Sequence, residues 1–266
     1  MVKRMQYKPE FSRTEFHRPS GHYEIEIAGR RLLYAYIRKN ACTAFKHMLN
    51  RKPHPKFVLN RAIGRERNSR YHISGNMKYY RVHGDLHHRV SSYDHILFVY
   101  RDPLDRFLSV FINKFIDNAG ATDIQNNFID QTGKDVEIST FRTFMDYANR
   151  EFSLLDCHMW PQKAHLEAIR YTDAIALGQL RSSMAEIIGQ TPACKWFEGR
   201  RNSSRNDGTR IADHLSDVPV CRLRELQKQG KRITKANFIS ELLSEFIIEK
   251  YTVDYDMISC IHRGSS

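Results

Sequence analysis

An α/β fold, with a short parallel sheet flanked by helices in three layers, is the architecture this sequence predicts, on three observations. Residues 32–37 (Leu-Leu-Tyr-Ala-Tyr-Ile) and 96–100 (Ile-Leu-Phe-Val-Tyr) are continuous apolar runs, the pattern of strands covered on both faces. Each run stops at a short polar turn and re-enters as an amphipathic helix, so a strand–turn–helix unit recurs. The 266 residues are 41% hydrophobic and 27% charged, enough apolar material to cover such a sheet and too much for a disordered chain. We expect one domain over residues 1–266.

Residues 1–20 are polar and suggest a loosely ordered arm. Residues 22–27 alternate, with Tyr23, Ile25 and Ile27 on one side, and Ala28-Gly29-Arg30 turns them into the 32–37 strand as a hairpin. The helix that follows presents Phe45, Met48 and Leu49 on one face, and Thr43 is its expected cap. Residues 51–70 carry Arg51, Lys52, Lys56, Arg61, Arg65, Arg67 and Arg70, and form either a solvated loop or the lining of a cleft. His83, His87 and His88 fall within six residues, yet lack an HExxH spacing or a carboxylate pair, so no metal site is expected.

After the 96–100 strand, Asp102 is placed to cap a helix and Pro103 to occupy its first position. Leu104, Phe107, Leu108, Phe111 and Phe115 make its core stripe, which leaves Arg106, Ser109 and Asn113 on another face and Arg106 a surface or ion-pair role. Residues 118–137 and 198–208 are polar and glycine-containing, and suggest mobile loops. Phe141, Phe144, Met145 and Ala148 mark a helix, which the Asp-Cys-His-Met-Trp-Pro-Gln segment at 156–162 breaks. A strand at 174–177, a helix at 180–188 and a helical tail at 235–255 complete the chain.

The net charge of +12 favours an anionic partner. Five scattered cysteines without a CxxC pair suit a reducing compartment. No stretch is long and apolar enough for a signal peptide or a transmembrane helix, so a cytoplasmic location is expected, with any membrane anchor lying outside these residues.

The two strand–turn–helix units point to anion binding. A strand that ends at Arg38-Lys39-Asn40-Ala41-Cys42 and re-enters as a helix aims backbone N–H groups and a positive helix end at one point, and Lys39 adds a full charge. The second unit offers the forked cation of Arg101 and the hydroxyl of Ser109, about 9 Å along the helix from Pro103. Ligands of open α/β sheets lie beyond the carboxyl ends of the strands, so both turns are expected at one crevice. Two anion sites imply a doubly phosphorylated nucleotide. GxxxxGK[ST] and GxGxxG are both absent.

At these residues the chain resembles the sulfotransferases, in particular their carbohydrate-type, membrane-associated branch. Arg38-Lys39-Asn40-Ala41-Cys42-Thr43 is similar to the family's 5′-phosphosulfate loop, with Arg38 where the family has proline. The apolar strand, Arg101-Asp102-Pro103, Arg106 and Ser109 resemble its 3′-phosphate motif. His83-Gly84 resembles a His-Gly of the uronyl 2-O-sulfotransferases, with Asp85 where those enzymes have a second histidine. His158-Met159-Trp160-Pro161-Gln162 is similar to an H-W-x-P-Q signature interrupted by Met159. Asn202-Ser203-Ser204 and Tyr251-x-x-Asp254-Tyr255 resemble the family's late elements.

The resemblance implies a P-loop-like fold and 3′-phosphoadenosine 5′-phosphosulfate (PAPS) as donor. It implies a carbohydrate or glycan hydroxyl as acceptor, and neither metal nor nucleic acid. Arg38, Lys39, Asn40, Ala41, Cys42, Thr43 and Ala44 would hold the 5′ end, with Lys39 also at the leaving oxygen. Arg101 and Ser109 would hold the 3′-phosphate. His83 is the first choice of general base, His158 the second and Asp85 the third; Asn202, Ser203 and Arg205 would close over the nucleotide. Two rivals stand beside this reading: an ATP- and magnesium-dependent kinase with Asp102 as metal ligand, and a basic nucleic-acid-binding module.

Overall fold

The computed structural model describes residues 5–51, 55–56, 77–118, 121–198 and 208–264, Asn50 and Arg51 by backbone alone. The packing divides the chain into two compact units, each assembled from separate stretches: Met1–Arg101, Gln162–Arg201 and Met257–Ser266 in the first, Asp102–Pro161 and Asn202–Asp256 in the second. Among the described residues no helix is long and apolar enough to cross a membrane.

The first unit holds the sheet. β1 (His22–Ile27) and β2 (Arg30–Ala35) form the expected hairpin, with Ala28 and Gly29 both at positive φ, 52° and 72°. β3 (His95–Tyr100) pairs parallel to β2, and β4 (Asp173–Ala176) parallel to β3, in the order β1-β2-β3-β4. The continuous apolar runs are explained by layers on both faces. Leu32, Tyr34, Leu97, Val99 and Ile175 point one way, into α1 (Cys42–Arg51), α5 (Leu180–Ile188) and α6 (Gln190–Phe197). Leu33, Ala35, Ile96, Phe98 and Ala174 point the other way, and pack with Leu166, Tyr171 and, from α9 (Thr252–Arg263), Met257 and Ile261.

The arm is tied, against the expectation of looseness. Tyr7 exchanges both backbone hydrogen bonds with Tyr171, Arg18 N–H donates to Ala164 O, and Ser20 N–H donates to His165 O. Lys163 and Glu15 form an ion pair at 2.8 Å, both largely shielded from solvent. Tyr7, Arg18 and Ser20 thus find backbone partners on the segment 164–171.

The second unit is helical around aromatic rings. α2 (Pro103–Phe111) starts as expected, with Asp102 accepting from the Asp105 N–H at 2.9 Å and Pro103 at its head. It widens into a π-helical turn over Ile112–Ile116, closed by Asp117 N–H to Ile112 O. Its stripe meets α4 (Phe141–Ala148), α7 (Val220–Lys228) and α8 (Glu241–Lys250) in a core with Phe111 against Phe141 at 4.9 Å, edge to face. Two short strands, β5 (Thr209–Arg210) and β6 (Lys231–Arg232), pair beside it. The expected mobile stretch at 118–137 is instead mostly α3 (Thr122–Thr132), because Ile124 and Phe128, four apart, drop into this core and Gly133 at φ +67° ends the helix. The loop expected at 198–208 lies, but for its two end residues, outside the described residues.

Candidate functional site

The turn between β2 and α1 is wound by its backbone. Lys39 and Ala41 both adopt positive φ, 69° and 56°, with Asn40 between them outside that region. Left-handed residues alternating with ordinary ones turn successive N–H groups toward one side, the concave arrangement that receives anions. For residues with a Cβ this conformation costs about 1–2 kcal/mol each. α1 begins at Cys42, the Ala41 carbonyl accepting from Ala44 N–H at 2.9 Å and Phe45 N–H at 3.4 Å. Thr43 therefore sits inside the first turn and is not the cap; an alanine holds that position. No acidic residue lies in this turn to offset the positive helix end.

Asn40 explains why the strained turn persists. It is fully buried, and its amide nitrogen donates both to Val99 O at 2.9 Å and to Gln162 Oε1 at 2.6 Å. Gln162, also fully buried, accepts from Arg101 N–H at 2.9 Å and donates Nε2 to Arg101 O at 2.8 Å. The Arg101 backbone orients the Gln162 amide, and the two acceptors then orient that of Asn40, so neither end is interchangeable. The amide of Gln162 continues the sheet ladder one residue past β3, and the Lys39 turn hangs from it.

Cations gather at the same place. Arg38 and Lys46 both lie over the Tyr36 ring, 5.9 and 5.1 Å from its centroid, and Tyr36 hydrogen-bonds Cys42. Burial pushes the Tyr36 phenol far up, helped by Cys42 and opposed by Arg38. Burial lowers Lys46, Cys42 opposes the shift and Arg38 adds to it. A partly buried lysine beside an arginine is an arrangement an anion relieves. Lys39, Arg38 and Arg101 are half-buried, as is Ser109 on α2 of the second unit.

His83 is exposed on the rim of a cleft of about 660 Å³ along β1, lined also by Glu24, Tyr79, Tyr80, Arg81 and Arg89. Tyr23 links this rim to the turn: its ring lies 6.0 Å from that of Tyr36. Burial raises its phenol, and the charges of Arg81 and Arg38 both pull it down. Asp85 is exposed and occupied locally, accepting from His87 N–H at 2.8 Å.

In the second unit His158 is buried, its Nδ1 2.5 Å from Asp156 Oδ1. Asp156, Cys157 and His158 place one potential metal ligand atom each within 4.8 Å of one another. Arg106 corrects the surface expectation: it is 3% exposed and donates to the Trp160 carbonyl at 2.8 Å. Tyr251, buried in the same unit, donates to Met159 O at 2.7 Å, so the 158–160 segment is gripped by its backbone.

Sequence reasoning missed the roles of Asn40, Gln162 and Arg106. The available signal was position: each is a polar residue set among residues that the fold buries. Asn202, Ser203 and Arg205 lie outside the described residues, as does the basic 51–70 stretch apart from Pro55, Lys56 and the backbone of Arg51.

A family model described as "Sulfotransferase family" matches residues 28–257. No curated protein and no solved structure matches the chain.

Proposed function

This chain belongs to the sulfotransferase family, and we propose that it carries a sulfuryl group from PAPS to a hydroxyl of a carbohydrate or glycan. The observation that carries the donor assignment is the turn at 38–41: two left-handed residues, a glycine-free concave backbone, and the cations of Arg38, Lys39 and Lys46 around it. These residues suit the 5′-phosphosulfate end. Arg101, held at the end of β3 by Gln162, suits the 3′-phosphate, with Ser109 assigned to it by the order of the motif.

In this reading the acceptor oxygen attacks sulfur in line. A new S–O bond forms as the bond from sulfur to the 5′-phosphate oxygen breaks, and the electron pair leaves on that oxygen. The Lys39 ammonium donates to it, and the turn N–H groups hold the phosphate as its charge grows. Thr43, in the first turn of α1, adds a hydroxyl. The acceptor proton goes to a base, a contribution of about 10²–10⁴ in rate. We assign the base to His83, exposed on a cleft whose tyrosines and mixed charges suit a polar sugar. His158 is the second reading, favoured by Asp156, which holds its Nδ1.

Calorimetry with adenosine 3′,5′-bisphosphate, Mg-ATP and a single-stranded oligonucleotide tests the donor. Binding of the bisphosphate alone is expected. Preference for Mg-ATP would favour the kinase, preference for the oligonucleotide the nucleic-acid module. A labelled-sulfate screen of sugar, phenol and lipid acceptors tests the acceptor class. His83→Ala is expected to abolish most turnover, with His158→Ala largely active; the reverse would transfer the base to His158.

A further inference from the structure

The geometry points to Gln162 as a positioning residue, acting with Asn40, that sets the spacing between the Lys39 turn and Arg101, so that a ligand charged at both ends is gripped as one piece. This rests on the nucleotide reading above. Gln162 touches neither anion site through its own charge. Its single amide instead holds the main chain at Arg101, by one accepted and one donated bond, and the side chain of Asn40, which lies between the two left-handed residues of the turn. Asn40 also takes Val99 O, two residues before Arg101 on the same strand. The turn and the end of β3 thus share three hydrogen-bonded points of reference through two uncharged side chains, both 0% exposed. The Oδ1 of Asn40 is buried with no hydrogen-bond partner. A buried acceptor is left unpaired at a stability cost. Serine or alanine would remove that cost but could not span from the turn to Val99 and Gln162 together.

A role in spacing makes a demand that a role in stability alone does not. Loss of Gln162 should weaken a two-ended ligand far more than a one-ended one, because only the former needs both ends at fixed separation. The experiment uses the full chain with Gln162→Ala, the volume-preserving Gln162→Met, Asn40→Ala and the double variant. Calorimetry measures adenosine 3′,5′-bisphosphate and adenosine 5′-monophosphate, with thermal unfolding to show that each variant is folded. Expected are losses of at least about 10-fold for the bisphosphate, under about 3-fold for the monophosphate, and a double variant no weaker than the worse single one. Folded variants that bind the bisphosphate as wild type does, or that lose both ligands equally, would overturn the positioning role. Wild-type protein that does not bind the bisphosphate would instead overturn the nucleotide reading, and this inference with it.

Discussion

The guanidinium of Arg106 lies buried in the second unit with Nη1 2.8 Å from the carbonyl of Trp160. It faces inward beside the aromatic stripe of its own helix, and its charge is felt at the buried phenol of Tyr251, which donates to the neighbouring Met159 carbonyl. Two residues far along the chain thus hold one stretch of backbone. Arg106→Ala is expected to lower the unfolding free energy by roughly 2–3 kcal/mol, because it removes a buried guanidinium's charge-assisted bond to a half-buried carbonyl. Arg106→Lys should recover only part of it, lacking the planar fork. Urea unfolding measures both, and a loss below about 0.5 kcal/mol for alanine would show that the contact contributes nothing.

Stability should also depend on pH through His22. Its Nδ1–H faces the Ser20 carbonyl and its Nε2 the Tyr171 hydroxyl, and burial lowers its pKa from 6.5 to about 4, against the Ser20 bond and with the help of Arg81. Between those values the unfolded chain binds a proton that the folded protein refuses. Stability therefore falls as pH drops from about 6.5 toward 4, by about 3 kcal/mol from this residue. His22→Asn should flatten the profile in that window. Parallel wild-type and variant curves would remove His22 as the cause.

Lys39→Ala should cut turnover by about 10²–10³ while changing the affinity for adenosine 3′,5′-bisphosphate far less, since in the proposed mechanism the lysine acts most on charge that develops as the bond breaks. Single-turnover rates and calorimetry separate the two effects. An unchanged rate would take Lys39 out of the chemistry.

Arg101→Ala should raise the donor KM by about 10-fold or more through loss of the proposed charge-assisted phosphate contact. Its backbone, which is what Gln162 reads, is retained in the variant, so the effect isolates the side chain. Steady-state kinetics at saturating acceptor would show it, and an unaltered KM would leave the 3′-phosphate without its proposed holder.

The sheet was legible because both faces of β2 and β3 are covered, which writes an unbroken apolar run into the sequence, and because Asp102 and Pro103 mark a helix start by local chemistry alone. The turn was legible as a break between strand and helix, and its left-handed Lys39 and Ala41 give it the concave backbone on which the anion-binding proposal rests. What was not legible depends on distant partners. Thr43 looks like a cap, yet the left-handed Ala41 moves the helix start one residue ahead of it. Asn40 and Gln162 are 122 positions apart, and nothing local distinguishes a fully buried amide from a surface one. The helix at Thr122–Thr132 did carry a signal, Ile124 and Phe128 four apart with Gly133 behind them, but its many polar residues masked it.

Met257 and Ile261 sit, essentially inaccessible to solvent, against the face of the sheet that carries Leu33, Ile37 and Phe98. For a chain made from its N-terminus this has a consequence in time. The strand that leads into the Lys39 turn is synthesised early, yet the last part of its covering layer waits until Ile261 has left the ribosome. A nascent chain halted before that point lacks Met257 and Ile261 over this face, and leaves apolar surface of the kind a chaperone shields.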